Sequence, residues 1–239
     1  MPYIIYIPEI TNAKNVSKME TNLKKHISTK SDKSVHDSQS VRAELQRKSV
    51  HFVVFLVLLA MYPQLDKKTL LITLIPISVL LIVLEIERIR SKTFANFVIT
   101  NFKSLLRNQE LKSSMRKMHL IGCTWACLSF TLITILFSFQ LAASCFAMFL
   151  VADAMAAIIG KWLGRNCWRK SKKTIEGSVA FFCTGLIIII LFPNVNFKPG
   201  AIAVLTATAV EIIEWPIDDN FSVPLAATTS LFLIEKLFV

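Results

Sequence analysis

The chain has 239 residues, 54% of them hydrophobic and 18% charged, with a mean hydropathy of +0.54 and a formal net charge of +11. That is more apolar side chain than one water-soluble core of this size needs, so the composition argues against an ordinary globular domain and for a membrane protein. The charges gather between apolar blocks instead of interleaving with them, which argues against a set of water-soluble amphipathic helices.

Residues 1–43 come first. Between about Asn12 and Ser40 this segment is rich in Lys, Ser, Asn and Thr with little apolar periodicity, and it is expected to be a basic, disordered cytosolic tail. No basic start followed by an apolar core and a small-residue cleavage site occurs there, so no cleaved signal peptide is expected. Residues 44–239 carry the apolar blocks His51–Pro63, Leu70–Leu84, Leu120–Phe139, Leu141–Ile159, Val179–Phe192, Ala201–Ile213 and Val223–Leu233. Several fall short of the roughly 20 residues that cross a bilayer upright. The expected fold is an all-α polytopic bundle of about seven transmembrane helices, with six as the alternative count. The five cysteines include no CxxC pair, and Cys123, Cys127, Cys145 and Cys183 lie in apolar blocks, where packing is the expected role.

Positive charge falls in three places: the tail up to Lys48, the stretch from Arg88 to Lys117, and the stretch from Lys161 to Lys173. Counting spans from the tail puts all three on one side, with the connections Gln64–Lys68, Phe139–Gln140 and Asn194–Gly200 on the other. An excess of Lys and Arg marks cytoplasmic loops, so the N-terminus is expected in the cytosol. The acidic stretch Glu211–Asp219 reaches the same side. A phosphoryl-transfer site needs cations for phosphate oxygens and carboxylates for magnesium, and both lie on this face.

Within the blocks, Asp153 sits in the apolar, small-residue run FLVADAMAAIIG, where an acid is costly unless it is paired or functional. Gly160, Gly164 and Gly177 bracket the basic loop Lys161–Glu176, in which Lys170, Lys172 and Lys173 precede Thr174. Glycines permit close backbone approach, and lysines grip phosphate as point charges; close helix packing also accounts for the small residues. The soluble kinase loops GxxxxGK[ST] and GxGxxG are absent. EIERIR (Glu85–Arg90) reads as ion pairs in a solvated helix continuation, whereas Glu211 and Glu214, three apart on a mostly apolar helix, can complete an acidic site.

DAMAAIIGKWLGR (Asp153–Arg165) followed by KSKKTIEGSVAFF (Lys170–Phe182) resembles the signature of the CTP-dependent lipid kinases. That family includes dolichol, phytol and fungal-type diacylglycerol kinases and is related to phosphatidate cytidylyltransferases. ELQRKSVHF (Glu44–Phe52) and DDNFSVPL (Asp218–Leu225) resemble its first and last motifs, in the same order. The resemblance implies transfer of the CTP γ-phosphate to a lipid hydroxyl with Mg2+ or another divalent cation. Carried over by position, Asp153, Lys172, Lys173 and Asp219 are the expected catalytic residues; Arg47, Lys48, Gly160, Lys170, Glu176, Gly177 and Asn220 are expected to bind nucleotide or phosphate. Asp153, Asp218 and Asp219 are expected to hold the metal, and His51 is a further substrate-contact candidate whose plain alternative is a packed interfacial histidine.

The expected partners are a membrane lipid alcohol, with diacylglycerol first and phytol or a polyprenol open, a nucleotide and the bilayer, with no nucleic acid. The endoplasmic reticulum membrane is the expected location in a eukaryote and the plasma membrane in a bacterium. A CDP-lipid synthase is the nearest rival, but the His-Gly-Gly ending of that family is missing. A channel or transporter would spread its polar groups across the membrane depth instead of gathering them at one side.

Overall fold

A computed structural model describes residues 45–102, 106, 120–169, 171, 173–213 and 215–238. The tail (residues 1–43), Lys170, Lys172 and Glu214 lie outside the described residues. Eight helices and no strand occur among those described: α1 (45–61), α2 (Lys67–Arg90), α3 (Lys92–Phe102), α4 (Gly122–Leu136), α5 (Phe139–Trp162), α6 (Ile175–Ile190), α7 (Phe197–Ile212) and α8 (Asp219–Phe238). Two of them, α2 and α5, are long and apolar enough to cross a membrane; α4 and α6 are apolar but shorter. The additional short helix α3 falls in the basic stretch after α2.

Turn chemistry sets the helix ends. Asp66 caps α2 by accepting from the Thr69 amide at 3.0 Å, and Ser138 caps α5 by accepting from Leu141 N at 3.5 Å. The turn before α5 therefore sits at Phe137–Ser138, two residues earlier than the sequence suggests, because Ser138 supplies the oxygen that the first turn needs. At the other ends of α4 and α2, Lys67 Nζ donates to the carbonyls of Ile135 (3.0 Å) and Phe137 (2.8 Å), which α4 leaves unpaired as it ends. Glu85 Oε1 accepts from Ile121 N at 2.7 Å and Thr124 Oγ1 at 3.2 Å at the start of α4. These two ties hold α2 and α4 antiparallel. Glu85 is thus buried and bound to Arg88 at 2.7 Å, and does not belong to a solvated continuation.

α5 is the centre of the bundle and packs against α4, α6 and α8. From Leu141 to Ala152 every residue is buried, and Ala142, Ala143, Ser144, Ala147 and Ala152 keep that surface shallow. Small residues let helices approach closely, which matters where lipid removes most of the hydrophobic drive between them. Phe130 of α4 stacks on Phe146 of α5 with ring centroids 4.2 Å apart. Outward faces are apolar too: Ile72 is 74% exposed, and Val53, Val57, Val79 and Leu80 are exposed beside it in kind. Such contiguous apolar faces suit lipid contact and would be a liability in water. The cysteines divide: Cys145 is buried in the core as expected, while Cys123 and Cys183 are exposed, and none of the five forms a disulfide.

Candidate active site

Lys48 and His51 lie one turn apart on α1 and both face Asp153 on α5. Lys48 Nζ donates to Asp153 Oδ2, and His51 Nδ1 lies 3.3 Å from the same oxygen. Burial is nearly complete on both sides of the pair, with side-chain exposures of 8% for Lys48 and 13% for Asp153. A carboxylate in this apolar helix therefore has the cation that its burial requires. His51 Nδ1 is itself buried and makes no hydrogen bond among the described residues. Its ring leans on Phe149, centroids 6.2 Å apart.

A second cluster forms around Lys173. The loop between α5 and α6 closes as a small hairpin, with Cys167 and Thr174 in an antiparallel bridge and Trp168 N donating to Lys173 O at 3.0 Å. That closure aims Lys173 Nζ at Glu211 Oε1 on α7 (2.7 Å) and Asp219 Oδ2 at the start of α8 (2.8 Å). Burial works against the charge on Lys173, yet the Asp219 and Glu211 carboxylates outweigh it and raise its pKa above the ordinary lysine value. Glu211 is held from its other side: Ser178 Oγ donates to its Oε2 at 3.4 Å, and Trp168 Nε1 donates to Ser178 Oγ at 3.1 Å.

Both clusters lie at one end of the bundle. Gly160 near the end of α5 and Gly177 at the start of α6 pass so close that a Cβ on Gly177 would sit 2.9 Å from the Ala156 carbonyl oxygen and 3.3 Å from Gly160 Cα. Asp153 is three residues before Ala156, about 4.5 Å along the helix. The ends of α5 and α7 and the starts of α1, α6 and α8 all converge there.

The other expected residues take distinct places. Gly160 and Gly177 serve the close helix crossing, and neither has positive φ. Glu176 accepts from the Arg165 amide at 3.1 Å and the Asn166 amide at 3.3 Å, so its carboxylate fastens the basic loop to α6. Asn220 is buried and donates through Nδ2 to Asp218 Oδ1 at 2.7 Å, which fixes the first turn of α8. Four residues on, Pro224 has no N–H to give the Asn220 carbonyl, so that turn is loosened beside Asp219. Arg47 is partly exposed at the start of α1. Ser178 and Trp168 carry no sequence signal of their own; only the TIEGS context at a helix start places a hydroxyl near the basic loop.

Asp153, Asp218 and Asp219 do not come together as one group, and no trio of His, Cys, Asp or Glu among the described residues is placed to hold a metal ion. The pair that converges is Asp219 with Glu211. Two carboxylates meeting on one cation suit Mg2+, which takes one or two protein oxygens and fills its shell with water and phosphate. In the structure the cation on which Glu211 and Asp219 meet is the Lys173 ammonium.

No protein-family model matches this chain, and no solved structure matches it. Among curated proteins, it is 28% identical over 200 residues to an uncharacterized protein of Rickettsia prowazekii, a match spanning 79% of this chain and 94% of the relative. It is also 38% identical over 52 residues to dolichol kinase of Saccharomyces cerevisiae, which covers 22% of this chain and 10% of that enzyme. The first relationship is long and silent about chemistry; the second is short and points towards the lipid kinases.

Proposed function

We propose that this protein is a CTP-dependent lipid kinase of the membrane, moving the γ-phosphate of CTP to the hydroxyl of a lipid alcohol, with diacylglycerol giving phosphatidate as the first choice. The observation that carries the proposal is Lys173 held between Glu211 and Asp219, at the same end of the bundle as the Lys48–Asp153 pair. Cations and hard-oxygen donors at one membrane face are what phosphoryl transfer from a soluble nucleotide to a lipid requires.

In the proposed reaction the lipid oxygen forms a bond to the γ-phosphorus, the bond from that phosphorus to the bridging oxygen breaks, and CDP leaves with the electron pair. Lys173 and Lys48 offset charge on the phosphate oxygens. Asp153, oriented by Lys48, receives the hydroxyl proton. Glu211 and Asp219 are the residues that would hold a divalent cation, which would supply further charge neutralisation on the phosphates. Ser178 and Trp168 keep Glu211 aimed at the site.

The proposal carries a topology. Helices α1, α2 and α4 to α8 make the seven expected spans, α3 lies on the cytosolic side, and the site faces the cytosol with the N-terminus. The shorter helices suit the endoplasmic reticulum, whose bilayer is a few Å thinner than average. The yeast dolichol kinase stretch favours a polyprenol as the second acceptor to test.

Purified protein in detergent with magnesium, given γ-labelled CTP or ATP and diacylglycerol, dolichol or phytol, tests the reading. Label entering one lipid from CTP supports it and names the acceptor. No label in any lipid with either nucleotide refutes it.

A further inference from the structure

A groove of about 530 Å3 runs between α7 and α8, within the volume usual for ligand clefts. Its near end is formed by Ile217 and Phe221, which flank Asp218, Asp219 and Asn220; its far end reaches Leu233 and Ile234. From Phe221 to Leu233 the helix rises about 18 Å. That is slightly more than half of a hydrocarbon core about 30 Å thick. The groove thus starts beside the acidic turn and has about the length of one leaflet's depth.

Its wall is dressed for hydrocarbon. Thr206 and Ser230 hydrogen-bond to each other at 3.0 Å, Thr206 also reaches the Ile202 carbonyl at 3.0 Å, and Ser222 donates to the Asp218 carbonyl at 3.3 Å. These three hydroxyls are satisfied within the protein, so an apolar chain laid over them strands none of the three. Val210, Trp215 and Leu225 supply apolar surface between them.

We infer that this groove seats the hydrocarbon tail of the acceptor lipid, with its hydroxyl directed towards the end of the bundle where the Lys48 and Lys173 clusters lie; the inference rests on the lipid-kinase reading above. Its occupant is the tail of a long-chain lipid alcohol. The end of the groove at Ile217 and Phe221 is the end that borders the acidic turn, so a chain lying along α8 has its head on that side. Fixing the tail in this way converts a lipid diffusing in the plane into a positioned reactant.

The test compares Ala226→Trp, which fills the groove from its α8 wall, with the unmodified protein, using long-chain and short-chain diacylglycerol under the same labelled CTP. The long-chain to short-chain ratio of kcat/KM falls by about tenfold in the variant. An unchanged ratio overturns the groove assignment even if both activities fall. In parallel, a long-chain lipid alcohol with a diazirine at the tail end is photolysed with the unmodified protein. Crosslinks at Leu225 to Ile234 that unlabelled alcohol competes away support the groove. Crosslinks spread over the outward face of α2 overturn it. Should the unmodified protein phosphorylate no lipid, the kinase reading fails, and the crosslinks alone decide whether the groove holds a lipid tail.

Discussion

Lys173 and Asp219 are 46 residues apart in the chain, yet the lysine ammonium donates to the aspartate at 2.8 Å and to Glu211 at 2.7 Å. Removing the ammonium leaves two carboxylates facing each other and takes a cation from the phosphate site. Lys173→Ala is expected to lower phosphate transfer by about 100-fold or more. Lys173→Arg keeps the charge but not the compact single-point geometry, and is expected to retain a measurable fraction. Steady-state transfer kinetics with matched circular-dichroism spectra check both.

Lys48 and Asp153 behave as a buried pair. Asp153→Ala leaves a buried ammonium unmatched and is expected to cost about 3 kcal/mol of stability. Lys48→Met alone is expected to cost a similar amount, and the double variant distinctly less than the sum of the two. Thermal unfolding in detergent, run as a double-mutant cycle, measures the coupling. Additive losses would show that the pair is not a unit.

Gly177 tests the crossing of α5 and α6. A methyl there meets the Ala156 carbonyl oxygen at 2.9 Å and Gly160 Cα at 3.3 Å, both backbone atoms that move only with their helix. Gly177→Ala is expected to cost about 1 to 3 kcal/mol. A lower unfolding temperature with reduced transfer is the outcome, since the crossing also sets the start of the Lys173 loop. Gly185→Ala is the milder comparison, because the nearest atom to its Cβ is a Val204 side-chain methyl.

Alkaline pH tests the charge on Lys173. Its pKa is raised above the ordinary 10.5, with the carboxylates of Asp219 and Glu211 overcoming the effect of burial. A raised folded-state value means that the contribution to stability is fully present below the unfolded pKa and is lost as pH climbs through the folded one. Stability from this cluster is therefore flat across neutral and mildly alkaline pH and falls only above about 10.4. Melting temperatures of the unmodified protein and Lys173→Met over that range check the sign: the fall at high pH should be smaller in the variant.

Much of this arrangement was legible in the chain. The blocks of apolar residues gave the helices, since α2, α5 and α8 follow Leu70–Leu84, Leu141–Ile159 and Val223–Leu233, and Asp153 stood out because an acid in that run needs a partner. The spacing of Lys48 and His51, one helical turn apart, could have named the partners in advance. Pairings across helices were not legible, because they depend on the depth at which α7 and α8 meet the Lys173 loop. Asp219 therefore converges with Glu211, where motif order suggested Asp153 and Asp218. The glycines were ambiguous for a related reason: a residue without a side chain looks the same whether a phosphate or another helix approaches it, and the structure brings α5 and α6 together at Gly160 and Gly177.

The central claim is tested most directly by supplying the protein with CTP labelled at either the α or the γ phosphorus, together with diacylglycerol, dolichol and phosphatidate in separate reactions. The account predicts γ-label, and never α-label, in the product of one lipid alcohol, with loss of that product in Lys173→Ala. Appearance of α-label in lipid from phosphatidate would contradict it and mark the protein as a cytidylyltransferase.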